Sequence, residues 1–233
     1  MAKEIKYGAE AREALVAGVA EAPEAHRARG DVQHEAGEDA QRHAEGAAPL
    51  PQYLPQLETA EEAHVLRKNG IKKPILILGY TFPDQYEHLV RTDIRPTLFD
   101  FDSAKKMSDA AMSVGEGKKI SVHIKLDTGM SRVGFLCTGS MREEAVQNVL
   151  DVCRMPGIDA EGIFTHFSVA DEPEGDGNKE YTESQIALFC DMISRLEEQG
   201  ASFRLRHCAN SGAVLFWRDQ TCAFDMVRPG ILL

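Results

Sequence analysis

Three charged residues stand close together between residues 122 and 135, where an alternating apolar stretch runs into a glycine-containing turn. They are Lys125, Asp127 and Arg132. Because side chains alternate between the two faces of a strand, we expect Lys125 and Asp127 to share one face. Buried charged side chains are usually paired or belong to a functional site. The segment therefore predicts either an ion pair at a strand end or a site built on that end.

Polar residues recur at the ends of three more apolar stretches. His166 interrupts residues 164–167, His207 opens a polar run before a predicted helix, and Arg228 follows residues 226–227. A single histidine at a strand end is more typical of a structural residue. Four polar strand ends in succession indicate a shared site, because parallel strands of a β/α barrel bring their carboxyl ends to one face.

The last two strand ends have the composition of a phosphate site. Asn210 and Ser211 open the predicted helix, where a hydroxyl group and backbone N–H groups favour an anion. Gly230 and Ile231 could add backbone donors from the neighbouring loop. An ordinary helix N-cap is the alternative interpretation of the Asn-Ser pair.

The elements that must position these residues alternate regularly from residue 58 onward. The predicted strands are 74–79, 97–99, 120–126, 162–167, 204–208 and 225–227. The predicted helices are 58–69, one from about 84, 103–112 with Ser103 as N-cap, 142–153, 182–199 and one from about 211. Strands that alternate with helices imply right-handed crossovers and a parallel sheet. The expected fold class is α/β, with about six of the eight parallel strands of a TIM-type (β/α)8 barrel.

The first part of the chain has a different composition. Residues 20–56 contain no Ile, Phe, Trp, Met or Lys, so they can bury little apolar surface to offset the entropy of ordering. We expect a poorly ordered segment over residues 1–56 and the functional fold over residues 57–233. His26, His34 and His43 are spaced too irregularly for one helix face, and the acidic loop 171–176 lacks the ligand period of a calcium loop. No metal site is expected.

Charge and cysteine content restrict the partners and the compartment. A net charge of −11 and a pI near 5.2 argue against nucleic-acid binding. Five cysteines without a Cys-x-x-Cys pair argue against a disulfide framework and fit a reducing cytoplasm. No apolar run has the length of a membrane span, and no signal peptide opens the chain.

The string Lys-x-Asp-Thr-Gly-Met-x-Arg-x-Gly at residues 125–134 resembles the signature of alanine racemases, which are isomerases that use pyridoxal 5'-phosphate. The resemblance covers about residues 58–233 and implies their N-terminal barrel domain, with the six strands matching the third to the eighth. It implies interconversion of L-alanine and D-alanine for cell-wall precursor supply. It also implies alanine as the small-molecule partner and a homodimer in the family.

Site roles follow from the resemblance residue by residue. Arg228 matches the arginine that faces the pyridine nitrogen of the cofactor, where a permanent charge disfavours ring protonation and steers the chemistry toward racemisation. His166 and His207 match the histidines that hold this arginine. Arg132 matches the arginine on the substrate side, and Lys125 matches the lysine that is often carbamylated and orients it. Matches to the contacts of the cofactor phosphate are Asn210, Ser211, Gly230 and Ile231.

Two catalytic bases of the family are not expected here. The Schiff-base lysine belongs to a Lys-x-x-x-Tyr-Gly pattern on the first barrel strand, which Lys3 to Gly8 fits by letter. Residues 1–19 also resemble the N-terminus of a group I chaperonin, and we interpret Lys3 as part of that leader. The second base is a tyrosine from a C-terminal β domain, which the family has after the barrel and this sequence does not show. We expect a chimeric or truncated, inactive form that is incomplete as a dimer.

Two alternative functions stay open. Another amino-acid racemase of the same class, for example one for serine, would share the barrel and its cofactor contacts. A non-catalytic, single-domain pyridoxal-phosphate-binding barrel protein would also end without a β domain, but such proteins lack the string at residues 127–130.

Overall fold

The computed structural model describes residues 57–221, 224–228 and 230. Predictions on the segment 1–56, on Lys3, on the three early histidines and on Ile231 lie outside these residues. The strands are β1 (Ile75–Ile77), β2 (Ile94–Leu98), β3 (Ile120–Asp127), β4 (Phe135–Leu136), β5 (Ile158–Phe164) and β6 (Leu205–His207). The helices are α1 (Ala60–Lys68), α2 (Tyr86–Thr92), α3 (Phe101–Val114), α4 (Arg142–Cys153), α5 (Asn178–Glu198), α6 (Ser211–Phe216) and α7 (Arg218–Thr221). Short 3-10 turns lie at Pro83–Gln85 and Gly139–Met141.

All strand pairs of the described sheet are parallel. The order is β1-β2-β3-β5-β6, and the short β4 pairs with β3. Helices follow β1, β2, β5 and β6, as in a β/α barrel. The described residues therefore confirm the predicted α/β class with a parallel, partial barrel sheet.

The core lies between the sheet and the helices that cover it. Ile120, Val122, Ile124 and Leu126 of β3 are fully or almost fully buried. Helix residues pack onto the same cluster; the largest of them include Met107, Val149, Phe189, Met192 and Leu196. Burial of such side chains removes apolar surface from water and holds the strand ends in fixed positions.

Capping residues explain where two helices begin. The Thr59 hydroxyl oxygen accepts a hydrogen bond from Glu62 N, and the Glu62 carboxylate accepts one from Thr59 N, so a capping box starts α1. The prediction that Ser103 caps α3 is wrong. Asp100 is the N-cap, because its carboxylate accepts from the Ser103 N–H at 2.7 Å. Ser103 lies inside the first turn and donates its hydroxyl to the same carboxylate.

The strand predictions differ from the structure at several places. The predicted strand 97–99 begins three residues earlier, at Ile94, and ends at Leu98. The predicted strand 162–167 begins four residues earlier, at Ile158, and ends at Phe164. The short β4 was not predicted, because two residues carry too little pattern. The final strand predicted at 225–227 is wrong: the structure has only an isolated bridge between Asn210 and Arg228 there. The Asp225 carboxylate accepts from Arg206 N, so a side chain interrupts the ladder of backbone hydrogen bonds.

None of the helices in the described part of the chain is long and apolar enough to cross a membrane.

Candidate active site

One row of side chains crosses three neighbouring strands near their carboxyl ends. Lys125 of β3 pairs in register with Phe164 of β5, and Phe164 pairs with His207 of β6. The Phe164 and His207 rings are stacked with centroids 4.7 Å apart. This row forms the floor of the candidate site, and the remaining polar residues lie around it.

Lys125 is buried beside other cations. Its side chain is 4% exposed, and Nζ lies 6.0 Å from the centre of the Phe164 ring. Burial, followed by the positive charges of Arg132 and Arg228, lowers the pKa of Lys125 to about 8. Near neutral pH a minor fraction of this amine is therefore uncharged, as a reaction with an electrophile requires.

Asp127 organises the turn that carries Arg132. One carboxylate oxygen accepts from the backbone N–H groups of Gly129 and Ser131, each at 3.0 Å. The other accepts from Arg132 N at 3.1 Å. Among its described contacts, the Asp127 carboxylate thus bonds to the backbone of the turn and not to a cationic side chain. Gly134 closes the turn, because a Cβ at this position would lie 2.8 Å from the Lys125 carbonyl oxygen.

His166 and Arg132 lie at the open side of the row. Arg132 is exposed and His166 is half-buried. Burial, followed by the charges of Arg228, Lys125 and Arg132, lowers the pKa of His166 to about 3. The imidazole is therefore neutral at physiological pH. The charges of Arg228, Lys125 and Arg132 thus all act on the His166 ring.

Arg228 is the most deeply held cation of the cluster. Nη1 donates to His207 Nδ1 at 2.6 Å, while Nη2 donates to the Thr165 and Cys208 carbonyl oxygens. Burial lowers the pKa of Arg228 to about 10, which still leaves it charged at neutral pH. Its guanidinium lies 5.0 Å from the centre of the Phe164 ring. The three acceptors are neutral, so Arg228 keeps a positive charge at the site.

The predicted phosphate residues lie at the start of α6. Asn210 is its N-cap, with Oδ1 accepting from Ala213 N and Nδ2 donating to the Phe167 carbonyl oxygen. The Asn210 side chain is thus used in capping. The Ser211 hydroxyl oxygen accepts from Gly230 N at 2.9 Å, which joins the two predicted loops. Ser211 and Gly230 therefore lie together, next to the bridge that Arg228 forms with Asn210.

This donor set fits an anionic ligand with an aromatic ring. Lys125, Arg132 and Arg228 supply positive charge, and the Ser211 and Gly230 loops supply hydroxyl and backbone groups. The Asp127 carboxylate, which could repel an anion, is occupied by backbone N–H groups. Pyridoxal phosphate has the matching chemistry, a phosphate at one end and a pyridine nitrogen that can face a guanidinium.

Sequence reasoning missed several buried polar residues that support the site. Thr128 and Thr165 are in hydrogen-bond contact at 2.8 Å, and Gln185 of α5 donates to Thr128. His123 and Glu161 lie one layer below the site, inside β3 and β5. A signal was present in the sequence, because His123 and Glu161 each interrupt an apolar strand.

Known proteins match this chain over the same region. The family model described as the alanine racemase N-terminal domain matches residues 4–233. The alanine racemase of Desulforamulus reducens is 45% identical over 172 residues, which are 74% of this chain and 43% of that protein. The chain thus spans less than half the length of this curated relative.

Solved structures agree with the sequence matches. The alanine racemase of Clostridium difficile 630 in complex with cycloserine has a TM-score of 0.69 and 37% identity, over 77% of this chain and 46% of that one. The histidine racemase of Leuconostoc mesenteroides has a TM-score of 0.63 and 27% identity, over 76% and 44%. The family match begins at residue 4, within the segment that was assigned to a leader, and none of these matches supports the chaperonin resemblance.

Proposed function

Because the chain belongs to the alanine racemase N-terminal domain family, a family of isomerases, we propose that it forms the pyridoxal-phosphate-binding part of an amino-acid racemase. The substrate that the family match favours is alanine. We propose residues 57–233 as the functional domain. We also propose that the whole protein is a homodimer, as the family match favours. A reducing cytoplasm is proposed as its compartment, supported by the four free cysteines of the described residues.

The observation that carries the proposal is the cluster of Lys125 and Arg228 beside Phe164, with Arg132 close enough to act on Lys125. The charges of Arg132 and Arg228 lower the pKa of Lys125, so a bound anion would stabilise the charged amine. A phosphate and a substrate carboxylate together supply such charges. Of the lysines in the described residues, Lys125 alone is buried, and it lies at this cluster.

Each residue has a distinct part in this proposal. The Ser211 hydroxyl, which accepts from Gly230 N and whose own O–H is a donor, holds the phosphate beside the Gly230 loop, with Asn210 fixing the helix start. Ile231 is assigned to the same phosphate contact by the family match alone. When bound, pyridoxal phosphate would supply an electron sink that acidifies the Cα proton of the amino acid.

The cations direct this chemistry. Arg228, held by neutral acceptors, keeps positive charge at the pyridine nitrogen and disfavours its protonation. An unprotonated pyridine ring withdraws electrons less strongly. Return of a proton to the substrate Cα is then favoured over side reactions such as transamination. Arg132 binds the substrate carboxylate, and His166 and His207 position Arg228. In carbamylation the uncharged Lys125 amine would form an N–C bond to carbon dioxide and release a proton. The resulting carbamate carries a negative charge that would orient Arg132.

The test compares pyridoxal phosphate with pyridoxal, which lacks the phosphate. We expect the full chain to bind the phosphorylated form more tightly in equilibrium dialysis, and Ser211→Ala to reduce this preference. Arg154→Met, on the exposed end of α4, is the control and should leave it unchanged. Equal affinity for both compounds, or a Ser211→Ala variant that behaves as the control does, would refute the site.

Catalysis is tested in the same preparation. We expect no measurable racemisation of alanine, and borohydride reduction should leave cofactor on scattered exposed lysines. Loss of a positioned general base reduces rates by about 10²–10⁴-fold, and no described lysine other than Lys125 reaches the cluster. An adduct on Lys3, with racemisation that Lys3→Ala abolishes, would show that Lys3 is the Schiff-base lysine.

A racemase for another amino acid is the second candidate, supported by the histidine racemase among the structural neighbours. A panel of single enantiomers distinguishes the two candidates, and alanine should be preferred. Binding of the cofactor without turnover of any amino acid would instead support the non-catalytic barrel protein.

A further inference from the structure

A continuous series of buried polar side chains runs from Arg228 into the interior of the sheet. Arg228 Nη1 contacts His207 Nδ1 at 2.6 Å, and His207 Nε2 contacts His123 Nδ1 at 2.8 Å. His123 Nε2 then lies 3.6 Å from Glu161 Oε2, which accepts from Arg95 Nε at 2.9 Å. Both imidazoles are 0% exposed. The side chains of this series come from β6, β3, β5 and β2, in addition to Arg228.

The proton positions in this series follow from its two ends. A guanidinium has donors only, so His207 Nδ1 is the acceptor and His207 carries its proton on Nε2. That proton is donated to His123 Nδ1, so His123 also carries its proton on Nε2, facing the Glu161 carboxylate. Any other arrangement would place two protons, or none, between a pair of nitrogens. Both histidines are therefore neutral Nε2–H tautomers.

The backbone of β5 is adapted to this arrangement. The ladder between β3 and β5 shifts register where Val122 pairs with Ala160 and His123 pairs with Gly162. Glu161 is thus the extra residue of a β-bulge, a feature that redirects side chains. A Cβ at Gly162 would lie 2.5 Å from His123 Nδ1, the atom that accepts the proton from His207. The bulge and the glycine together make room for the His207–His123 contact.

We infer that His123 and Glu161 are positioning residues for Arg228. They act through a series of N–H groups that all point the same way: Arg228 donates to His207, His207 donates to His123, and the N–H of His123 faces the Glu161 carboxylate. The arrangement orients the guanidinium while two neutral rings separate its charge from that of Glu161. A carboxylate bound directly to Arg228 would neutralise it at the ligand. The consequence for the cofactor rests on the role proposed for Arg228, whereas the proton arrangement does not.

The test uses the full chain, labelled with 15N in histidine and arginine, without cofactor. Long-range proton–nitrogen correlations should show His123 and His207 as neutral Nε2–H tautomers at pH 7. In Glu161→Gln the amide can donate as well as accept, so the His123 tautomer is no longer fixed. We expect the nitrogen signals of His207 to shift although residue 161 does not touch that ring. Hydrogen exchange of the Arg228 guanidinium should become about fivefold faster, as for loss of one hydrogen bond.

Asp159→Asn is the matched control. Asp159 lies two residues away on β5 and shares Arg204 with Glu161, but its other partner is Ser121. It should leave the histidine and Arg228 signals unchanged. A merely structural Glu161 would lower stability without moving the His207 signals, and that result overturns the inference. So does a cationic ring or an Nδ1–H tautomer in the unsubstituted chain, a measurement that needs no variant to fold.

Discussion

At the scale of single residues, sequence reasoning located the charged strand ends but did not determine their contacts. Lys125, Asp127 and Arg132 were predicted as a group from their spacing, and the structure places them at one strand end. The partner of Asp127 could not be read from the sequence, because its three donors are backbone groups of the following turn. Side-chain patterns do not report such bonds.

Replacement of Asp127 tests the structural role of this carboxylate. We expect Asp127→Ala to lower the free energy of unfolding by about 3 kcal/mol, because three hydrogen bonds to a buried charge are lost. Urea denaturation measures the change. The control is Asp151→Ala, which removes a surface ion pair with Arg154 and should cost under ~1 kcal/mol. Equal losses in the two variants would contradict the role of Asp127.

The pKa of Lys125 tests the effect of the neighbouring positive charges on this amine. Arg132 lowers the pKa of Lys125, which is about 8 in the cofactor-free chain, so Arg132→Met should raise it. The measurement is the pH dependence of the Lys125 side-chain carbon signal in NMR. Arg154→Met, which removes a charge that does not act on Lys125, should leave the midpoint unchanged. If the titration midpoint of Lys125 stays the same in Arg132→Met, Arg132 does not act on Lys125 and the prediction is wrong.

At the scale of elements, the alternation of strands and helices was predictable, but boundaries and caps were not. The α4 bounds agree with the prediction to the residue, because its apolar period and polar flanks coincide. The start of α3 does not, since Asp100 and Ser103 are both good N-cap residues and the sequence cannot choose between them. The bulge in β5 was hidden for a related reason, because a one-residue shift leaves no compositional mark.

The N-cap of α3 gives the element-scale prediction. Asp100→Ala should lower the free energy of unfolding by about 1 kcal/mol, because the Ser103 N–H loses its acceptor. Asp102→Ala, on the exposed side of the same first turn, is the comparison and should cost only a few tenths of that. Thermal unfolding measures the loss of stability in both variants. A larger loss in Asp102→Ala than in Asp100→Ala would contradict Asp100 as the N-cap.

At the scale of the whole molecule, the buried neutral histidines predict sensitivity to acid. Burial, first among the causes, lowers the pKa of His166, His123 and His207 below the ordinary value of 6.5. Below pH 6.5 the unfolded chain therefore binds protons that the folded chain excludes, and stability falls as the pH drops. Each such histidine removes up to about 2 kcal/mol by pH 5.

Stability curves between pH 7 and 5 measure this loss. In His166→Asn the slope should be smaller by up to about 1.4 kcal/mol per pH unit, since one titrating group is gone. Arg154→Met, at the exposed end of α4, removes no imidazole and serves as the control. The Glu161 carboxylate, whose pKa lies below its ordinary value of 4.5, adds its own loss only under that pH. A slope that is flat over this range would contradict the burial of neutral rings.

The bulge at Glu161 also changes how β5 can vary. In a regular strand the side chains alternate between the two faces along the whole length. A one-residue shift in register therefore moves every side chain to the opposite face. Because Glu161 is an extra residue, Ile158–Ala160 and Gly162–Phe164 pair with β3 in two different registers. Deletion of residue 161 would restore a regular ladder and turn Asp159 toward the side now taken by its neighbours. The lower half of β5 is thereby free to change its packing while the upper half keeps Phe164 facing Lys125 and His207.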